Sequence, residues 1–128
     1  MLNIEKHTDE ANLNLPKIIF AEHHCTLTRN ALNYLGKPHS VALEIYRRNN
    51  VEDTFLHGKT LLVISQVNGR RTIANKVNYS MGAGVWYGES VKQLKKLLDY
   101  TYPEADGIYG QMRVNGKIKK CVIFEVRE

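Results

Sequence analysis

The residues of this chain that are best suited to a function are its clustered basic side chains, which could bind an anionic partner. The sequence holds 18 Lys and Arg against 13 Asp and Glu, a net charge of +5. Residues 70–120 contain 10 basic and 4 acidic side chains, whereas residues 1–69 contain 7 of each. Concentrated positive charge raises the encounter rate and the affinity for nucleic acid or an acidic protein surface. The alternative is a solvated lysine-rich face that only promotes solubility.

Nine basic residues are candidates for contact with DNA or RNA. Arginine forks onto phosphate or guanine, and lysine neutralises phosphate as a point charge. Neighbouring residues in a strand point to opposite faces, so an Arg-Arg pair presents only one side chain to a given surface. The candidates are Arg47, Arg48, Arg70, Arg71, Lys92, Lys95, Lys96, Lys119 and Lys120.

Motifs for catalysis or metal binding are incomplete. His23, His24 and Cys25 carry metal-ligand atoms, but strand neighbours diverge and no CxxC or HxxxH pattern completes a site. The glycines between positions 82 and 88 fit neither the P-loop nor the dinucleotide fingerprint. No spacing nominates a Ser-His-Asp set or another catalytic motif. We therefore predict a protein that acts by binding, without a metal or cofactor, and not an enzyme.

A second candidate surface is the connection from Val51 to Lys59, which is longer than a tight hairpin needs. Phe55 and Leu56 lie at its centre. Long loops in small domains are often functional, so these two residues predict contact with a protein partner. The alternative is that both side chains fold back onto the core.

The length of 128 residues suits one domain. No run approaches the roughly 20 apolar residues of a membrane span, and the N-terminus lacks a signal-peptide core. We expect a cytoplasmic protein with no membrane partner. Cys25 and Cys121 both lie in strand-like contexts, where we expect free thiols.

The strands and helices that the sequence predicts around these candidate residues indicate an α+β fold that is mostly β. We expect an N-terminal arm at residues 1–15 and a single domain at residues 16–128. Within the domain, residues 16–67 and 70–127 form two β-β-α-β-β halves. Asn68-Gly69 is the strongest dipeptide for a two-residue hairpin turn, so we expect it to pair the last strand of one half with the first strand of the next.

In the first half, Ile18–Ala21 is a predicted strand, and Thr28 is the predicted N-cap of a short helix. Gly36 suits the end of that helix. Val41–Tyr46 alternates with the period of a strand, and Leu61–Val67 is apolar on both faces, as in a central strand.

In the second half, Val85–Tyr87 is a predicted strand and Ser90 the predicted cap of a second helix. The helix is amphipathic, with leucines on one face and Lys92, Lys95 and Lys96 on the other. A second hairpin turn is predicted at Asn115-Gly116, which pairs Val114 with Lys117 and carries basic side chains.

The first half also resembles a known family. Cys25-Thr-Leu-Thr-Arg-Asn-Ala-Leu-Asn-Tyr-Leu-Gly36, followed by Val41-Ala-Leu-Glu-Ile45 and Leu61-Leu-Val-Ile64, resembles the swapped-hairpin fold of AbrB-like regulators and MazE-type antitoxins. Thr28 departs from the proline often found there, and Pro38-His39-Ser40 replaces the usual Gly-Asp turn. The resemblance implies two interleaved copies about a pseudo-twofold axis, here within one chain, so that the protein is a monomeric pseudo-dimer or a homodimer.

The resemblance also implies DNA binding and transcription regulation. The basic residues at matching positions are Arg29 at the helix start, with Arg47 and Arg48 at the strand end. Our first hypothesis is a nucleic-acid-binding regulator of transcriptional or antitoxin type. The alternative is a protein-binding module, such as a mobile-element inhibitor or adaptor, that docks on a nucleic-acid-handling protein.

Overall fold

A computed structural model describes residues 2–6, 15–47, 49–51, 55–67, 74–76, 78–99 and 103–127. The described residues form strands and two helices, and the prediction of a mostly β fold is confirmed. In chain order the elements are β1 (Leu2–Lys6), β2 (Lys17–Phe20), β3 (His24–Leu27), α1 (Arg29–Tyr34), β4 (Ser40–Tyr46), β5 (Asn49–Val51), β6 (Leu61–Gln66), β7 (Ala74–Lys76), β8 (Asn78–Ser80), β9 (Ala83–Tyr87), α2 (Glu89–Leu98), β10 (Glu104–Asp106), β11 (Ile108–Val114) and β12 (Lys117–Glu125).

The described strands form two sheets. Seven of them make a curled half-barrel in the order β5-β1-β11-β12-β6-β4-β7, and five make a second sheet in the order β10-β2-β3-β9-β8. Four antiparallel ladders connect the predicted halves: β3 pairs with β9, β6 with β12, β2 with β10 and β4 with β7. Both sheets therefore contain strands from both halves.

The main core lies between the two sheets and beneath both helices. Leu32 from α1 and Leu94 from α2 are fully buried in one cluster with Phe124 of β12. A smaller cluster lies on the other face of the half-barrel and includes Ile4 and Val63. Because β6 carries apolar side chains into both clusters, its predicted central place is confirmed.

The prediction that Asn68-Gly69 pairs β6 with the next strand is wrong. The dipeptide itself lies outside the described residues, but β7, the next described strand, pairs with β4 rather than with β6. Both edges of β6 are already occupied, by β12 and by β4. The long-range ladder with β12 takes the edge that a local hairpin would have used.

The residues predicted as an N-terminal arm include β1, which pairs with β11 on one side and with β5 on the other. The helix caps also differ in part from expectation. Thr28 is the N-cap of α1, but its hydroxyl accepts from the Lys17 backbone N–H at 3.3 Å rather than from the helix. α2 begins one residue before Ser90, after Gly88 with a φ of 67°. Neither helix of the described chain is long and apolar enough to cross a membrane.

Candidate nucleic-acid interface

The end of α1 is fixed against the half-barrel. The Lys37 N–H donates to the Leu32 carbonyl at 2.8 Å, and Gly36 has a φ of 87°, as expected where a helix stops. Tyr34 then anchors the last turn, because its hydroxyl donates to the Gly110 carbonyl of β11 at 2.9 Å. Its ring centroid lies 4.7 Å from that of Tyr109. The C-terminal end of α1 is therefore held beside the β11–β12 hairpin.

The β11–β12 hairpin has the predicted turn. Asn115 and Gly116 both have positive φ, 52° and 79°, which is the geometry that an Asn-Gly dipeptide adopts cheaply. Val114 pairs with Lys117 and Met112 with Lys119, so the predicted register is confirmed. This register alternates the side chains of β12 across the sheet and places Lys120 on the side that faces α1.

Between α1 and this hairpin lies an open groove of about 720 Å³, which we call the α1 groove. It contains three lysines and three amide side chains, and no Asp or Glu is among the described residues that line it. An adjoining cavity of about 560 Å³ shares two of its residues and adds Lys37 and His39. The lining residues of the α1 groove are Asn33, Tyr34, Leu35, Gly36, Gln66, Asn115, Lys117, Ile118, Lys119 and Lys120.

Tyr34 forms a wall of the α1 groove and also orients a lysine. The Lys120 ammonium lies 5.1 Å from the Tyr34 ring centroid, within the range of a cation–π contact. Burial raises the pKa of Tyr34 to about 12, with smaller contributions from Cys121 and Tyr109. Since its ring already contacts Tyr109 and Lys120, Tyr34 supports the groove rather than offering a free face for base stacking.

A second open groove, which we call the α2 groove, has a volume of about 440 Å³ and lies between α2, β4 and the end of β12. Basic side chains flank a floor of aliphatic ones. No Asp or Glu lines it within the described part of the chain. Its lining residues are Ile45, Arg47, Thr60, Gln93, Lys96, Leu97, Val126 and Arg127.

The structure separates the predicted nucleic-acid contacts into different places. Lys119 and Lys120 line the α1 groove, whereas Arg47 and Lys96 line the α2 groove. Lys92 is exposed on α2 and lines neither of these two grooves. Of the remaining four candidates, Lys95 donates from its ammonium to the Glu22 carbonyl at 3.1 Å. Arg48, Arg70 and Arg71 lie outside the described residues.

Arg29 connects the two halves of the protein. Its Nε and Nη2 donate to the Met81 carbonyl at 3.0 Å and 2.5 Å. A Cβ added at Gly82 would lie 2.8 Å from Nε, so the turn after β8 is shaped to receive this guanidinium. Arg29 therefore joins the start of α1 to the β8–β9 turn, and its fork is engaged within the protein.

The predicted protein-binding pair divides between surface and core. Phe55 is 66% exposed, and the Lys59 ammonium lies 4.1 Å from its ring centroid. Leu56 is 4% exposed and packs with Val51 and Leu61 in the smaller core cluster. Leu56 thus lies in the core rather than on a docking surface, which was the alternative for this loop.

The predicted metal-ligand atoms diverge as strand neighbours should. His23 and His24 are exposed, whereas Cys25 is fully buried opposite Trp86. No group of three His, Cys, Asp or Glu residues with metal-binding geometry is present in the described ranges. Cys25 and Cys121 are free thiols, and burial raises the pKa of each to about 12. Both thiols are therefore protonated, packed side chains.

Sequence reasoning missed several residues of the α1 groove. Lys117 lies two residues before Lys119 and therefore on the same face of the predicted strand. The hairpin pattern was sufficient to predict Lys117 as a groove residue. Asn33 and Gln66 carried no such pattern, because their proximity depends on how α1, β6 and β12 pack. The amide side chains are the larger omission, since they are the groups that read base edges.

Comparisons with protein-family models, curated proteins and solved structures found no match to this chain. The likeness to swapped-hairpin regulators therefore stays a prediction. The two grooves share a positive charge but differ in their neutral side chains.

Proposed function

We propose that this protein binds nucleic acid through the α1 groove and acts by binding rather than by catalysis. One observation carries the proposal: Lys117, Lys119 and Lys120 line a single groove with Asn33, Gln66 and Asn115, and no carboxylate is among its described lining residues. Lysines neutralise phosphates and release their counterions. Asn and Gln side chains pair with base edges, adenine above all.

The shape of the interface supports this division of roles. The Asn115-Gly116 turn and the following Ile118 are exposed, and Ile118 retains 62% of its accessible surface. A two-stranded β-ribbon fits into the major groove of duplex DNA. The hairpin tip would then approach bases, while Lys37, just after α1, and Lys120, beside the Tyr34 ring, would contact backbone phosphates.

We further propose that the two halves are related by a pseudo-twofold axis of swapped-hairpin type. An offset of 60 positions relates the starts of the helices, Arg29 and Glu89. The same offset converts the paired segment of β3, 24–27, into that of β9, 84–87. It also converts the paired segment of β6, 61–65, into that of β12, 121–125. Agreement among three elements far apart in sequence favours a repeat over chance.

The order of the elements supports the same repeat when the short strands β5, β7 and β10 are left out. β2-β3-α1-β4-β6 then corresponds to β8-β9-α2-β11-β12, although β11 starts 68 rather than 60 positions after β4. Two of the ladders between halves, β3 with β9 and β6 with β12, join corresponding strands. Under this arrangement α1 packs beside the hairpin of the other half, as strand exchange requires. A cytoplasmic regulator of transcription, or an antitoxin, is the biological role that we propose for such a fold.

Fluorescence anisotropy across salt concentrations tests the proposed function. Labelled short duplex DNA, single-stranded DNA and RNA would be titrated with the full chain. We expect the logarithm of affinity to fall linearly with the logarithm of salt concentration. Replacing Lys117, Lys119 and Lys120 by Ala should reduce the slope for duplex by about 0.9 for each phosphate contact that is lost.

Lys92→Ala is the matched control, because Lys92 is an exposed lysine that lines neither groove. It should leave the slope nearly unchanged. Failure of all three nucleic acids to bind at low salt would contradict the proposal. Equal effects of the control and of a single groove substitution such as Lys120→Ala would assign binding to net charge rather than to the groove.

One observation favours protein binding as a second candidate function. Phe55 exposes 66% of its surface beside Lys59, whose ammonium also lies 3.3 Å from a Glu125 carboxylate oxygen. An exposed aromatic ring next to a cation is a common anchor in protein interfaces. If the protein is an adaptor or inhibitor of a nucleic-acid-handling protein, Phe55→Ala should weaken capture of that partner, whereas Lys120→Ala should not.

A further inference from the structure

Backbone hydrogen bonds hold together the elements that form the α2 groove. The Val126 N–H donates to the Thr60 carbonyl at 2.9 Å, and the Arg127 N–H donates to the Leu97 carbonyl at 3.0 Å. These two bonds hold the end of the chain against both the start of β6 and the last turn of α2. The groove therefore has walls of fixed backbone.

The chemistry of the α2 groove combines an apolar floor with cationic sides. Ile45, Leu97 and Val126 contribute aliphatic surface, and Ile45 is 36% exposed. The cations around them are Arg47, Lys96 and Arg127. Arginine binds carboxylate through two parallel N–H···O bonds. The apolar floor between these cations can accommodate an apolar side chain of a ligand.

The floor distinguishes this groove from the α1 groove. If the proposed offset of 60 relates the two, Gln66 corresponds to Val126 and Lys120 corresponds to Thr60. An amide and a cation are thereby replaced by the aliphatic Val126 and a hydroxyl, while the amide of Asn33 is kept as Gln93. Phosphates and base edges gain little from aliphatic surface, whereas a peptide side chain is stabilised by about 25 cal/mol for each Å² of apolar area that it buries.

We propose that the α2 groove binds a short acidic peptide segment of a partner protein, with an aliphatic side chain of the peptide on the floor and flanking carboxylates on the cations. Charge complementarity selects this occupant. Peptide binding in the α2 groove is independent of the function proposed for the α1 groove, because no lining residue is shared. Either binding proposal can be wrong without affecting the other.

Amide NMR of the full chain provides the test. The probe is the blocked tripeptide Asp-Leu-Asp, with Asp-Ser-Asp and Lys-Leu-Lys as matched probes that remove the anchor and reverse the charge. We expect Asp-Leu-Asp to shift the amides of Leu97, Val126 and Thr60 saturably, with a dissociation constant on the order of millimolar. Asp-Ser-Asp should bind more weakly, and Lys-Leu-Lys should not shift these amides.

Two exposed lysines on one face of α2 give a matched pair of variants. Lys96→Glu should weaken Asp-Leu-Asp binding by roughly three- to tenfold, whereas Lys92→Glu, one turn away and outside the groove, should change it little. Both lysines are exposed, so neither change should unfold the protein. Unchanged amide shifts away from position 96 would also establish that Lys96→Glu remains folded.

Several results would overturn the proposal. These are the absence of saturable shifts in the groove, equal binding of Asp-Ser-Asp, and equal effects of the two lysine variants. Groove shifts that depend on protein concentration without any peptide would show that a second copy of the chain covers the site instead. Because this readout contains no nucleic acid, its failure is distinguishable from failure of the α1 groove.

Discussion

The two grooves of this protein lie against the same core but are suited to different ligands. Each lies beside one helix and the strands of the other predicted half, and each is lined by cations. The α1 groove has three amide and two aliphatic side chains, whereas the α2 groove has one amide, Gln93, and three aliphatic side chains. Positive charge alone therefore does not identify the ligand. The neutral residues between the cations distinguish a phosphate and base surface from a peptide surface.

The contacts that hold α1 and α2 beside their grooves also differ. α1 has six residues and is anchored by the Tyr34 side chain on the Gly110 carbonyl. α2 has ten residues and is tied at its last turn by a backbone bond from Arg127. A short helix contributes little stability of its own, so the α1 groove depends more on single side-chain contacts.

The largest expected effect concerns the core that both grooves share. Leu32→Ala under α1 and Leu94→Ala under α2 should each lower the free energy of unfolding by about 2–5 kcal/mol, because each leaves a cavity in the main cluster. Thermal and denaturant unfolding should show one transition for both variants. Asn33→Ala, an exposed change on α1, should have a small effect. Two separate transitions would mean that the halves fold independently.

The second prediction exchanges corresponding residues between the grooves. Lys120→Thr should lower the salt slope for duplex DNA by about 0.9, since one phosphate contact is lost. Thr60→Lys, which adds a lysine to the α2 groove, should leave that slope unchanged because the aliphatic floor keeps the duplex away. Salt titrations of each variant and of the double variant decide this. Restoration of the slope in the double variant would show that only the number of lysines matters.

Much of the fold follows from local sequence patterns. The Asn115-Gly116 turn fixes the register of β11 and β12, and the glycine at position 36 ends α1 as predicted. The apolar run of β6 correctly indicates a strand buried on both faces. These features depend on residues within a few positions of one another, so the sequence alone determines them.

Features that depend on distant contacts were not predictable in the same way. Asn68-Gly69 favours a hairpin between β6 and the next strand. Instead, β12 and β4 occupy both edges of β6 with longer ladders. β1 is short and weakly patterned, and it becomes a strand only because β11 and β5 lie on either side. The α1 groove has the same origin, since Asn33 and Gln66 meet Lys120 only through tertiary packing.

The third prediction separates a structural arginine from the basic groove residues. Arg29→Ala should lower the free energy of unfolding by about 0.5–1.5 kcal/mol, because the Met81 carbonyl loses its hydrogen bonds. The salt slope for nucleic acid should stay the same. Arg29→Lys keeps the charge without the fork and should give an intermediate stability. A reduced slope for Arg29→Ala, comparable with that of Lys120→Ala, would place Arg29 in the nucleic-acid interface after all.

The smallest expected effect tests the anchor of the α1 groove. Tyr34→Phe removes the hydroxyl that donates to Gly110 and should cost about 0.5–1.5 kcal/mol near neutral pH. Burial raises the folded pKa of Tyr34 from 10.0 to about 12, so above about pH 10 the unfolded chain loses a proton that the folded chain retains. The stability contributed by the hydroxyl is therefore complete below that pH and declines as the pH rises toward 12.

Denaturant titrations of wild type and Tyr34→Phe between about pH 9 and about pH 11 measure this decline. The stability difference between them should shrink with rising pH, while the contributions of Tyr46 and Tyr109, whose pKa values burial also raises, cancel in the comparison. The slope should stay below about 1.4 kcal/mol per pH unit, because the folded and unfolded chains differ by at most one proton at Tyr34. A pH-independent difference would mean that Tyr34 is solvated, and the end of α1 would then lack its anchor on β11.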